Sequence, residues 1–173
     1  AEAVTLGCVR EAGAHEQDSI DMAAAEHTVT AMQFAGPATF LAVAARTVLV
    51  DPEAAEAYLA RLRGSGTWFG QLGERLRTGA GKGRLPVAPL AERAIAWAQY
   101  VLPGLEPVFT PQPPPGWPHA AVWERERRAV ADEVVRPALA GWVETVRELL
   151  PRARPSDRAG LVWLPGGQED YTR

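Results

Sequence analysis

Apolar and small residues recur along this chain at steps of three and four, the spacing that gathers side chains on one face of a helix. From about Asp18 to Phe34 they fall at Ile20, Ala24, His27, Ala31 and Phe34, which predicts a helix closed by Gly36-Pro37. An earlier stretch, about Glu2 to Ala12, reads as a separate helix ended at Gly13 or as the same helix interrupted. Residues 39–50 are ambiguous. Phe40 to Ala45 suit a buried helix turn, whereas Thr47-Val48-Leu49-Val50 has the composition of a strand, and so short a run has no decisive period.

A clear start follows. Asp51 is a capping residue, Pro52 fits the first helical position, and Glu53 suits the positive end of the dipole. Ala55, Tyr58, Leu59 and Leu62 form the apolar face, and Gly64-Ser65-Gly66 predicts a break. A further helix is expected from about Thr67 to Arg77 through Trp68, Phe69, Leu72 and Leu76, ended by the glycines of 79–83. Pro86 opens the next, with a stripe at Val87, Leu90, Ala91, Ala94, Ile95, Ala98 and Val101.

Residues 103–118 hold seven prolines, so they are expected to form an extended linker or wrapping loop. A long helix is predicted from about His119 to Leu150, with Val130, Val134, Ala138, Trp142 and Val146 spaced by four. Pro137 deprives the Glu133 carbonyl of its partner, so a kink is expected there. Beyond Pro151 the chain reads as loop, with a turn at Leu164-Pro165-Gly166-Gly167. The fold class is therefore all-α: an irregular helical bundle or array, with residues 1–173 as a single unit. Helical segments fill 1–102, the proline-rich linker 103–118, the long helix 119–150, and a loop 151–173.

Composition narrows the functional classes. A chain of 173 residues, 47% of them hydrophobic, is long enough to bury a core. Eighteen basic and twenty-one acidic residues give a net charge of −3, without the concentrated basic surface of a nucleic-acid binder. Residues 1–60 carry −7 and the remainder +4. Cys8 is the only cysteine, which excludes an internal disulfide and a cysteine-based metal cluster. There is neither a membrane-spanning apolar run nor a secretory leader, so a cytoplasmic protein with no membrane partner is expected. Ala1 stands where a methionine would begin a natural chain, which suggests a start further upstream.

Several patterns approach known chemistry without reaching it. Thr78 to Gly83 is glycine-rich, but a phosphate loop needs glycine at 76, where Leu76 stands, and Ser or Thr at 83, where Gly83 stands. The reading as a helix end is preferred. His15-Glu16 begins like a zinc-protease motif, yet Ser19 occupies the position of the second histidine. His27 on an apolar face reads as a packed histidine, and His119 as a helix cap or a solvated residue. Glu124-Arg125-Glu126-Arg127-Arg128 reads as a wet helix face. Of six tryptophans, Trp68, Trp97 and Trp142 read as core. Trp117 and Trp163 lie in loops, where a tryptophan anchors the loop or lines a cleft. No serine, cysteine or lysine has a neighbouring base that would activate it, so no catalytic residue is assigned.

Five segments in order resemble one family. They are Asp51-Pro52-Glu53 with Ala57-Tyr58-Leu59-Ala60-Arg61-Leu62; Leu76 to Gly83 with Pro86; Val135-Arg136-Pro137-Ala138-Leu139; Glu148-Leu149-Leu150-Pro151-Arg152-Ala153; and Gly160-Leu161 with Leu164-Pro165-Gly166-Gly167 and Tyr171. Together, from about Gly36 to Tyr171, they resemble the amino-terminal half of the bacterial domain of unknown function 885, a family similar to helical zinc metallopeptidases. The resemblance implies a cleft-containing hydrolase whose His-Glu-x-x-His helix and zinc belong to a carboxy-terminal half beyond Arg173. That half, or a separate subunit carrying it, would be the partner, and a peptide-like molecule the substrate.

On that resemblance the chain would supply one wall of a substrate cleft and no metal ligand, with Trp163, Gly166, Gly167 and Tyr171 as candidate cleft residues. Taken singly, each has a plainer role: the glycines shaping a turn, the tyrosine packing. The alternative from another class is a non-catalytic helical binding module. A related architecture serving a biosynthetic hydrolysis other than proteolysis is a third reading.

Overall fold

Asp51 starts the longest element as its sequence promised, its carboxylate accepting the Ala54 N–H at 2.7 Å. The computed structural model describes Gln17, residues 20–31 and residues 36–171, and among these it contains helices and no β-strand. The helices are α1 (Gly36–Arg46), α2 (Pro52–Gly81), α3 (Ala88–Val101), α4 (Ala120–Val130), α5 (Arg136–Leu149) and a short α6 (Gly167–Tyr171), joined by 3₁₀ turns. A π-helical turn, Ala131–Val135, links α4 to α5.

α2 runs unbroken through Gly64-Ser65-Gly66, where a break was expected. Two of its glycines face the π turn and α5. A Cβ at Gly66 would lie 3.1 Å from Val134 Cγ1, and one at Gly73 would lie 3.1 Å from the Thr145 hydroxyl. Small residues here let α5 and the π turn lie close against α2. Burial of Leu59, Leu62, Phe69 and Leu76 outweighs the roughly 1 kcal/mol that each glycine costs a helix. Ser65 satisfies its buried hydroxyl on the Leu62 carbonyl at 2.7 Å.

α2 then ends as its glycines suggested. Gly83 takes φ +78°, and the Arg84 and Gly83 N–H groups return to the Gly79 and Ala80 carbonyls at 2.8 and 3.2 Å. This is a Schellman closure.

The helix expected over residues 18–34 does not form as one element. Ile20 and Asp21 are helical, Ala23 turns to φ +50°, Ala24–Glu26 is a single 3₁₀ turn, and 28–31 are irregular. Tertiary contact overrides the local preference: the turn lies on Gly79, where a Cβ would sit 2.1 Å from the Glu26 carbonyl oxygen. Glu26 clasps Lys82 at 2.8 Å and Arg84 at 2.7 Å. Ile20 faces solvent while Val29 is buried. The helix expected over 2–12, Cys8, the His15-Glu16 pair and Phe34 lie outside the described residues.

The ambiguous 39–50 stretch resolves as helix to Arg46, followed by irregular chain whose Val48 and Val50 are exposed and whose Leu49 is buried. The proline-rich segment is packed over its first part. It forms 3₁₀ turns at Leu102–Gly104 and Glu106–Phe109, with Leu105 and Phe109 fully buried. Two guanidiniums hold it, Arg136 donating to the Leu102 carbonyl and the buried Arg127 to that of Phe109.

Pro137 leaves its mark one turn early. Arg136 N–H reaches back five residues to the Ala131 carbonyl, so the long helix passes the proline through a π turn that separates α4 from α5. His119 precedes α4 without a side-chain cap.

Candidate functional site

The carboxy-terminal segment carries the candidate residues, and Arg154 fixes it to the body. The backbones of Val87 and Arg154 form a parallel bridge, with Arg154 N–H on the Pro86 carbonyl and Ala88 N–H on the Arg154 carbonyl, both at 2.8 Å. The Arg154 guanidinium then serves both sides. Its Nε donates to the Leu85 carbonyl at 2.8 Å. Its Nη1 donates to the carbonyls of Arg158, Ala159 and Gly160 at 2.8, 3.2 and 2.9 Å. A planar fork reaching four carbonyls from one residue is a task lysine cannot perform.

Beyond this anchor the chain coils tightly. Leu161–Trp163 is a 3₁₀ turn, Leu164 is buried, and α6 folds back against that turn. What was expected to be loop to the end is in part this helix. Gly166 adopts φ +77°, a left-handed conformation that suits glycine. Gly167 is buried, and a Cβ there would lie 1.7 Å from the Leu161 carbonyl oxygen. The two glycines therefore shape the turn. Pro165 lies against Gly83, whose added Cβ would meet it at 3.5 Å, so this turn docks on the end of α2.

Trp163 is 55% exposed, with the Arg158 guanidinium 5.4 Å from its ring centre, and Val162 beside it is also exposed. Tyr171 is the last residue of α6, four positions after Gly167. The structure thus gathers the four candidates into one short coil in which Trp163 presents an open apolar surface. The other loop tryptophan, Trp117, is an anchor, half-buried with its ring centre 6.3 Å from that of Trp123.

Behind the coil lies a polar junction between the turn around Glu26, the end of α2 and the Arg154 segment. Hydrogen bonds from Lys82, with Arg84 beside it, hold the Glu26 carboxyl below its ordinary range. Arg152 donates to the Ala80 carbonyl at 3.2 Å. His27 is buried, as its apolar face suggested. Burial, then the Arg154 and Arg84 charges, push its imidazole below the usual histidine range, against the opposing pull of the Met22 backbone and Asp170. Its Nε2 has no hydrogen-bond partner. Among the described residues, no three of His, Cys, Asp and Glu come together as metal ligands would, so these residues do not fit a zinc site.

A second feature escaped the sequence. A cavity of about 290 Å³ opens between α1 and α2, walled by Phe40, Val43, Leu62 and Trp68 with Tyr58 and Arg61. Trp68 was expected in the core and is instead a partly buried wall residue, 5.7 Å from the Phe40 ring. The stripe of α2 gives no separate signal for it, because wall and core positions share one helical period.

An all-α chain with an unbroken glycine-bearing helix and an arginine-anchored terminal coil is the class these observations define. The family model described as "Bacterial protein of unknown function (DUF885)" matches residues 2–173, and the chain belongs to that family. The match also covers residues before Gly36, where the resemblance had shown only a generic helix. No curated protein and no solved structure matches. No helix among the described residues is long and apolar enough to cross a membrane.

Proposed function

We infer that this chain is the amino-terminal portion of a zinc-metallopeptidase-like hydrolase, contributing a wall of the substrate cleft while the metal is held by residues outside those described. The observation that supports this reading most is the terminal coil. Arg154 spends four hydrogen bonds to hold a segment whose tip leaves Val162 and Trp163 exposed together. A rigidly supported apolar edge suits a surface that a substrate or a further part of the protein covers. Gly166 and Gly167 shape that edge and Trp163 forms it; Tyr171 closes the same coil.

The test uses the protein at its full natural length, measuring zinc by elemental analysis and hydrolysis of a mixed peptide library by mass spectrometry. Stoichiometric zinc, chelator-sensitive peptide cleavage and a raised KM for Trp163→Ala are expected. A full-length protein that takes up no zinc and cleaves no peptide would overturn the reading in favour of a non-catalytic helical binding module. Zinc-dependent activity on a non-peptide amide would place it with biosynthetic hydrolases instead.

A further inference from the structure

The cavity between α1 and α2 has the makeup of a ligand site: apolar walls with a few polar groups left unspent. Thr47 uses its hydroxyl on the Val43 carbonyl at 2.9 Å. The other polar groups are less engaged. The Thr39 hydroxyl oxygen is buried and has no hydrogen-bond partner. The Tyr58 hydroxyl reaches the Ala44 carbonyl only at 3.4 Å. Burial pushes the Tyr58 phenol up to about 12, so it stays a proton donor. Arg61, which lines the same space, is exposed and makes no ion pair among the described residues. Of the other α2 arginines, Arg63 is engaged with Glu126 and Arg77 with Glu74 and Glu148, while Arg75 lies away from this cavity. Thr39 belongs to the first turn of α1, whose dipole favours negative charge at that end.

The groove continues along α2. A second opening shares Phe40, Arg61 and Trp68 and runs past Gly64, which has no side chain to close it. From Tyr58 to Trp68 the helix axis advances about 15 Å at roughly 1.5 Å per residue. An extended chain covers that distance with about four or five residues at roughly 3.3 Å each.

We propose that this groove binds the carboxy-terminal end of an extended peptide. Its last, apolar side chain enters between Phe40, Val43 and Trp68, and its terminal carboxylate rests on Arg61. A planar carboxylate matches a guanidinium by two parallel hydrogen bonds. Apolar walls and a single cation suit one negative charge better than a phosphate carrying nearly two. The proposal does not depend on hydrolysis, because binding alone is read.

The experiment is calorimetric titration of the full-length protein with three probes: acetyl-Ala-Ala-Phe as free acid, the same peptide as its amide, and N-acetylphenylalanine. The free acid is expected to bind about tenfold more tightly than the amide, and Arg61→Gln to erase that difference while leaving amide binding unchanged. Val43→Trp, at a half-exposed rim position, fills the cavity and is expected to weaken both peptides. Both substitutions lie on exposed helix positions, and unchanged melting curves verify the fold. Equal affinity for acid and amide, or no saturable binding to the unsubstituted protein at millimolar concentration, would overturn the proposal. Equal affinity for the tripeptide acid and N-acetylphenylalanine would overturn the assignment to a peptide.

Discussion

Replacing glycine by alanine at three points of α2 should give three different results, because the glycines serve different purposes. In a helix interior the exchange alone stabilises by about 0.5–1 kcal/mol, through the smaller entropy of the unfolded chain. Gly64 is exposed and nothing lies within 4 Å of an added Cβ, so Gly64→Ala should deliver that gain. At Gly73 the Cβ would meet the Thr145 hydroxyl at 3.1 Å, a side chain already bonded to the Gly141 carbonyl at 3.1 Å. A shift of a few tenths of an ångström offsets the gain, and Gly73→Ala should be close to neutral.

At Gly79 the obstacle is backbone. The Cβ would fall 2.1 Å from the Glu26 carbonyl oxygen and 2.6 Å from Glu26 Cβ. Ordinary carbon–oxygen contact is about 3.3–3.6 Å, so the turn must retreat by more than about 1 Å. That retreat exposes part of Val29 and loosens both ion pairs of Glu26. Partial exposure of a valine costs about 1 kcal/mol and each surface-accessible pair up to about 1 kcal/mol. Set against the intrinsic gain, Gly79→Ala should destabilise by about 1–2 kcal/mol. Urea unfolding followed by far-ultraviolet circular dichroism measures all three, with unchanged m-values as the check that only stability has moved. If Gly79→Ala stabilises as Gly64→Ala does, the docking of the Glu26 turn on α2 is wrong.

Other perturbations test the remaining joints. Asp51→Ala removes the cap of α2 and should cost about 1 kcal/mol, read from the same urea midpoint, with Asp51→Asn recovering most of it. His27 is held below its ordinary range by burial and by Arg154 and Arg84, so the unfolded chain takes up the proton first. Its contribution is therefore complete above about pH 6.5 and declines as the pH falls below that value. Urea midpoints taken between about pH 7.5 and pH 5.5 should fall with acid, and His27→Gln should flatten that fall; a midpoint that rises in this window contradicts the burial of a neutral imidazole. Arg154→Ala should release residues 158–160 and hasten proteolytic nicking there well before global unfolding, and Arg154→Lys should fail to rescue it, since one ammonium does not reach the Leu85 carbonyl and that turn together.

The sequence made the helices legible wherever periodicity and capping agreed. Asp51-Pro52-Glu53 reports a helix start that occurs, and the stripe from Ala91 to Ala98 and the four-residue spacing from Val130 to Val146 report faces that pack on the core. It misled where a residue's local preference differs from its use at long range. Gly64-Ser65-Gly66 carries the composition of a break, yet Gly66 is small because Val134 lies over it. Ala24-Ala25-Glu26 has the composition of a helix, yet Glu26 is drawn out of register by Lys82 and Arg84, cations 56 and 58 positions away. The prolines of 103–118 forbid regular helix but say nothing about Arg127 and Arg136, which hold that segment against the core. In each case the deciding partner is remote in sequence, and no local window contains it.

The same reasoning divides the candidate site. A Leu-Pro-Gly-Gly sequence tells of a turn, and the structure gives both glycines structural work: Gly166 by its left-handed backbone, Gly167 by its approach to Leu161. Substituting either would disturb the coil before it disturbed any ligand, so loss of function there could not by itself assign a binding role. Trp163 is different. More than half of it faces solvent, the Arg158 guanidinium lies over its ring, and the coil stands on Arg154 rather than on this side chain. Truncating it leaves the anchor intact, which makes Trp163→Ala the substitution whose effect on substrate affinity separates a cleft wall from a folding element. If that variant keeps the stability of the parent and the full-length protein keeps whatever peptide affinity it has, the exposed edge serves neither purpose, and the groove at Arg61 is the surface left to test.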